Sequence, residues 1–154
     1  MYSNFLLGTF KTVAGDASVP KTSDNRIILL LVNNEGEFSV RNVNDNVRKI
    51  YPKSKDHYRT WYRNQVKFSL GEFSAVQVQS DTEIAMLLCC SYKEKVEELS
   101  LDALKKSLDK LGKYASENKK NVHLNKCERW DEVEPLVVDL LVKRGVQVTV
   151  YSQG

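Results

Sequence analysis

The chain has 154 residues, 42% of them hydrophobic, with 7 glycines and 3 prolines; this is the size and make-up expected of one globular domain spanning 1–154, and it speaks against a disordered polypeptide. No apolar run is long enough to span a bilayer and Met1-Tyr2-Ser3-Asn4 lacks the charged start of a secretory signal, so a cytoplasmic or nuclear address is expected. The net charge of +3 is mild, and the 3 cysteines (Cys89, Cys90, Cys127) are odd in number with no zinc-like Cys/His spacing, which fits a reduced compartment, no metal and no cofactor.

Phe5 to Val13 reads as an opening strand, followed by a loop through Gly15-Asp16-Ala17-Ser18 and Pro20. Ile27 to Val32 is continuously apolar, as strands buried on both faces of a parallel sheet are. It stops at Asn33-Asn34, and apolar residues then return at helical spacing at Val40, Val43, Val47 and Ile50. Beyond Pro52 a second helix is expected, capped by Ser54, with Tyr58, Trp61 and Tyr62 on one face. Phe73 to Val78 and Ile84 to Cys90 are two further strands around the turn Gln79-Ser80-Asp81-Thr82. Leu101, Leu104, Leu108 and Leu111 predict a helix capped by Ser100 and ending close to Gly112. Asn121 to Leu124 is a short strand. Asp131 is expected to cap the last helix, whose stripe is Val133, Leu136, Val137, Leu140 and Leu141 and whose end is Arg144-Gly145. Val146 to Tyr151 closes the chain as a strand. The order β, β, α, α, β, β, α, β, α, β predicts an α/β fold: three layers, α/β/α, around a mixed, mostly parallel sheet.

Two features carry chemical information before any resemblance is considered. A buried strand, a polar loop and an amphipathic helix in succession, as from Ile27 to Tyr51, is where open α/β sheets bind phosphorylated ligands, because the helix start offers unpaired N–H groups. Such a loop normally needs glycine for close backbone approach, and this one has only Gly36. The second feature is charge: between Arg48 and Lys67 seven basic residues (Arg48, Lys49, Lys53, Lys55, Arg59, Arg63, Lys67) face the single acid Asp56. With Tyr51, Tyr58, Trp61 and Tyr62 interleaved, this segment would suit nucleic acid, cations on phosphates and rings on bases. The same rings also fit the inward stripe of a helix, leaving the cations as its wet face, and this plainer reading is preferred. Two rings exposed beside the cations would reverse it. His57 and His123 stand in no triad-like sequence setting, and no Gly-rich nucleotide fingerprint occurs, so nucleotide hydrolysis and dinucleotide redox chemistry have no support.

Several short motifs, taken in order, resemble one family. They are Gly15-Asp16-Ala17, Asn33-Asn34 at a strand end, Lys49-Ile50-Tyr51-Pro52, Leu70-Gly71-Glu72, the run Leu101-Asp102-Ala103-Leu104-Lys105-Lys106-Ser107-Leu108, His123-Leu124, and Trp130-Asp131-Glu132-Val133 leading to Val148-Thr149-Val150-Tyr151. Across nearly the whole chain the pattern is similar to that of a macro domain, the ADP-ribose-recognising fold, and most to its small branch of terminal ADP-ribose glycohydrolases and ADP-ribose-phosphatase-like proteins. The resemblance implies that Asp16 takes the adenine amino group with the Ala17 N–H assisting, and that Asn34, next to Asn33 under the cleft, faces the distal ribose. A turn-forming role for Asp16 is the plain alternative.

Both phosphate loops depart from the family. Counted without a gap, the glycine positions of the first fall on Val40, Arg41 and Asn42. A β-branched valine resists positive φ and takes up phosphate space, whereas the Arg41 guanidinium could replace the lost backbone contacts. The second loop, Asn125-Lys126-Cys127-Glu128-Arg129, is short and has no glycine. The glycohydrolase branch uses a lysine after the fourth strand and an aspartate in this loop. Lys93 and Lys95 lie near the first position, Tyr92 is its gap-free match, and Glu128 is the carboxylate available. A lysine nucleophile needs burial or a neighbouring cation to lower its pKa, and Lys93-Glu94-Lys95 before Glu97-Glu98 reads as a solvated turn. The expectation is a binding module for ADP-ribose or an ADP-ribosylated protein at Asp16, Ala17, Asn33, Asn34, Val40, Arg41, Asn42, Lys126, Cys127 and Glu128, without catalysis; an ADP-ribosyl hydrolase would be the reaction if there were one. The alternative is a degenerate macro fold that has lost this ligand and binds nucleic acid through Arg48, Lys53, Lys55, Arg59, Arg63 and Lys67, or binds protein. No membrane partner is expected.

Overall fold

A computed structural model describes residues 7–39 and 43–153. The run from Ile27 to Val32 lies inside strand β2 (Arg26–Asn33), near the middle of a 7-stranded sheet. Its side chains alternate between two cores. Ile27 and Leu29 face one, Ile28, Leu30 and Val32 the other, and all five are buried. Burial of each such aliphatic side chain contributes about 1.5–3 kcal/mol, which requires helices on both faces of the sheet.

The remaining strands are β1 (Phe10–Ala14), β3 (Phe73–Gln79), β4 (Thr82–Lys93), β5 (Val96–Leu99), β6 (Asn121–Asn125) and β7 (Val148–Ser152). The spatial order is β1-β7-β6-β2-β4-β3, with β5 paired to β4. β1, β7, β6, β2 and β4 run parallel, and β3 and β5 are antiparallel to β4. Helices α1 (Val43–Ile50) and α2 (Pro52–Asn64) bury Val43, Val47 and Tyr58 in the core with Ile28 and Leu30. Helices α3 (Leu101–Glu117) and α4 (Trp130–Leu140) bury Leu104, Leu108, Leu111, Val133 and Val137 in the other. This is the expected three-layer α/β/α arrangement. Among the described residues no helix is long and apolar enough to cross a membrane.

Several local expectations need correction. β1 begins at Phe10, and Phe5 lies outside the described residues. The N-cap of α2 is Tyr51, not Ser54. Pro52, with its fixed φ and missing N–H, suits the first helical position and so starts the helix earlier; Ser54 is buried and donates its hydroxyl to the Tyr51 carbonyl at 2.7 Å. Ser100 does cap α3, accepting from the Ala103 N–H at 3.2 Å. That helix continues past Gly112, where an added Cβ would stand 2.1 Å from the Leu140 carbonyl oxygen. The glycine is a point of close helix contact, not a stop signal. Asp131 sits inside the first turn of α4, and the N-cap is Arg129 in left-handed conformation with no side-chain cap. The carboxylate still complements the helix dipole from there. β5 was not foreseen. It arises because β4 runs on to Lys93 and reverses through Glu94 and Lys95, with φ of 52° and 68°, the double positive φ that tight hairpins use.

Candidate functional site

Because the parallel strands share a direction, the loops after β1, β2 and β6 gather at one edge of the sheet, where open α/β folds place ligands. Asp16 stands in the loop after β1. Its Oδ1 accepts from Asn125 Nδ2 at 2.7 Å and from Gln153 Nε2 at 3.2 Å. Its Oδ2 accepts from the Ser18 N–H at 3.1 Å and from the Ser18 hydroxyl. Burial works to raise the Asp16 pKa, but the hydrogen bonds from Ser18, Asn125 and Asn46 prevail and hold it below the usual carboxylate value. The N–H of Ala17, a fully buried residue, donates to Asn125 Oδ1 at 2.7 Å. One carboxamide, that of the last residue of β6, thus engages both groups singled out in the sequence. Nothing in the sequence around Asn125 signals this double contact, which arises only between segments far apart in the chain.

The loop after β2 is held from below. Asn33 is fully buried, and its Nδ2 donates to the Glu37 carbonyl at 2.8 Å and to Glu97 Oε2 at 2.6 Å. Its Oδ1 accepts from the Glu35 N–H at 2.9 Å. The Tyr58 hydroxyl donates to Asn33, 2.7 Å from the carbonyl oxygen and 3.0 Å from Oδ1, and accepts from the Gly36 N–H at 3.0 Å. Phe38 is buried edge-on against the Tyr58 ring, centroids 5.7 Å apart. Asn33 therefore serves the loop's own architecture. Asn34 borders a shallow depression with Tyr62, Arg63 and Phe68, on the α2 side. Val40, Arg41 and Asn42 lie outside the described residues.

A separate cleft of about 80 Å³ is lined by Ser39, Asn44, Glu97, Asn125, Lys126, Cys127 and Glu128 and by leucines and valines that include those of β2, α3, β6 and α4. That volume suits a few waters and falls short of the roughly 300 Å³ at which ligand pockets begin. Burial pushes the Cys127 thiol up to about 11, away from thiolate chemistry. Lys93 and Lys95 are exposed at the β4–β5 turn and are not among the described residues bordering the cleft, whereas Glu128 is. No described cluster of His, Cys, Asp and Glu could hold a metal ion.

On the basic segment, Lys53, Arg59, Arg63 and Lys67 are exposed, Lys55 is half-buried, and Arg48 pairs with Asp45. Tyr58 is fully buried, and Tyr51 and Trp61 are half-buried against the α1/α2 core. Tyr62 alone of these rings is exposed, so the condition that would favour base stacking is not met.

His123, on β6, is buried in a polar chain. Lys21 N–H donates to the Tyr151 hydroxyl at 3.0 Å, the hydroxyl lies 2.8 Å from His123 Nδ1, and Nε2 lies 3.1 Å from Asp24 Oδ2. A carboxylate can only accept, so Nε2 carries the ring proton and Nδ1 accepts from the tyrosine. Burial lowers the His123 pKa despite Asp24, and the ring stays neutral. Asp24 also accepts from Asn121 at 2.7 Å, which completes a structural tie between the loop and β6.

Solved structures of similar shape give this architecture a name. A macrodomain protein from Streptomyces coelicolor is 28% identical and superposes with a TM-score of 0.86, covering 94% of this chain and 99% of that one. The fold is that of a macrodomain. A protein of unknown function from Bacteroides thetaiotaomicron (21% identity, TM-score 0.87, 94% and 98% covered) and the macrodomain of Mycobacterium tuberculosis DarG (17%, 0.77, 94% and 97%) share it. No sequence-family model and no curated protein matches the chain.

Proposed function

We propose that this chain is a macrodomain-type binding module for ADP-ribose, free or attached to protein, and that it does not cleave it. The reading rests on the side-by-side acceptor and donor formed by the Asp16 carboxylate and the Ala17 N–H. Adenine presents an amino donor beside a ring-nitrogen acceptor, and the carboxamide of Asn125 already docks onto the pair in that sense, at 2.7 Å for each bond. The pair is therefore preorganised for a donor–acceptor edge. Lys126, exposed at the cleft rim, would meet the diphosphate, and Arg41 is the second candidate for it. Absence of catalysis is supported by the exposed turn position of Lys93 and Lys95, which gives neither the burial a lysine nucleophile needs.

Titration calorimetry with ADP-ribose tests the proposal. Heat of binding that is lost in Asp16→Ala is expected; no heat at millimolar ligand with folded protein removes the reading. A nucleic-acid surface on α1 and α2 is the weaker proposal, since one exposed ring, Tyr62, is left to stack.

A further inference from the structure

We infer that Asn125 is an internal occupant of the adenine-reading pair, so that an adenine nucleotide has to displace a side chain of the protein itself; this rests on Asp16 and Ala17 being the adenine contact proposed above. The argument is one of hydrogen-bond capacity. An ionised carboxylate offers about four acceptor positions. Those of Asp16 are more than filled, by Asn125 and Gln153 on Oδ1, by the Ser18 N–H and hydroxyl on Oδ2, and by a further bond from the Asn46 side chain. The one N–H of Ala17 is spent on Asn125 Oδ1. No acceptor or donor remains for an incoming base.

An asparagine carboxamide matches an adenine edge in kind: an NH2 donor next to an acceptor. Displacement is confined to the side chain, because the backbone on either side is fixed. Asn125 pairs with Tyr151 in the parallel ladder, and the Lys126 N–H donates to the Tyr151 carbonyl at 2.9 Å. Rotation about the two side-chain torsions exposes the pair; withdrawal of the strand end would break the ladder. The residue thus sets specificity by subtraction. It weakens ligands that need the adenine contact and leaves untouched those that bind through ribose and phosphate alone.

The test uses the whole chain, wild type and the variants Asn125→Ala, Asn125→Ser and Asn125→Ala/Asp16→Ala, each first shown to be folded by a cooperative melt. Serine is the second variant because it keeps a polar strand end yet cannot span both partners. Calorimetry is run with ADP-ribose, AMP and ribose 5-phosphate. Removing the competitor is expected to tighten ADP-ribose and AMP on the order of tenfold, to leave ribose 5-phosphate unchanged, and to lose the gain in the double variant. If wild type binds ADP-ribose and neither single variant binds it more tightly, the inference falls while the proposed function stands. If wild type is silent and the single variants bind AMP, the inference holds and the ADP-ribose function of the native chain falls. Silence in wild type and in both folded single variants overturns both.

Discussion

Replacing Tyr58 by Phe isolates one oxygen atom whose position governs the loop after β2. The ring is fully buried and packs edge-on against Phe38 and Phe68, with centroids 5.7 Å and 6.2 Å away, and Phe would keep these contacts. What goes is the hydroxyl, which accepts from the Gly36 N–H at 3.0 Å and donates to Asn33. Asn33 Oδ1 keeps its bond from Glu35, so the groups left without this partner are the Asn33 carbonyl and the Gly36 N–H. A buried group left unpaired costs about 1–3 kcal/mol, and the half-buried Gly36 can recover part of this from water, so the expected loss is about 2 kcal/mol. In urea unfolding followed by circular dichroism the midpoint should fall with an unchanged m-value; for a chain of this size the melting temperature should drop by roughly 4–8 °C. A loss below about 0.5 kcal/mol, the range of an indifferent substitution, would refute the claim that this hydroxyl fastens the loop.

Stability should also fall as the solution is acidified below pH 6.5. His123 is held neutral, with a folded pKa below its unfolded value, so the unfolded chain binds the proton first; His57, shifted the same way by burial and then Lys53, adds to the effect. The contribution is complete above the unfolded value near 6.5 and is lost as pH falls through the folded pKa. Unfolding midpoints at pH 7.5 and 5.5 check this, and His123→Gln should flatten the difference. Asp24, whose pKa is lowered by Asn121 and His123 against the opposing effect of burial, extends the decline below the ordinary carboxylate range. Gly112→Ala should destabilise by about 1–3 kcal/mol although alanine favours helix by about 1 kcal/mol, because the new methyl meets the Leu140 carbonyl; a thermal melt decides the sign.

The sheet and its two helical layers were legible because they depend on local periodicity. The apolar run of β2 and the leucine stripe of α3 announce their burial residue by residue. β5 was hidden because Val96-Glu97-Glu98-Leu99 is a charged hairpin arm whose pairing follows from β4, not from its own pattern. The starts of α2 and α4 escaped for a related reason: neither has a side-chain cap, and Pro52 and the left-handed Arg129 do the work instead. Asp16 and Ala17 could be named from a motif. Their partner could not, since Asn125 meets them only after β1 and β6 have been brought into one sheet. The amide of Asn33 is likewise committed to partners that its own segment does not announce, Glu37 and Glu97, the second of them on β5.

β6 grips the loop after β1 at two points, through Asn125 at Asp16 and Ala17 and through His123 at Asp24. Letting go of the first leaves the second in place. The gate at this edge would then be a rotamer, not a lid: side-chain rotation is faster than loop opening, and the exchange precedes and outpaces diffusion of the ligand. Under such a rapid pre-equilibrium the penalty appears as a smaller competent fraction, the intrinsic Kd divided by the share of molecules with Asn125 turned away, with no slow phase in association. Stopped-flow traces of a binding ligand should accordingly be single-exponential, and Asn125 variants should change the apparent on-rate without changing the number of phases.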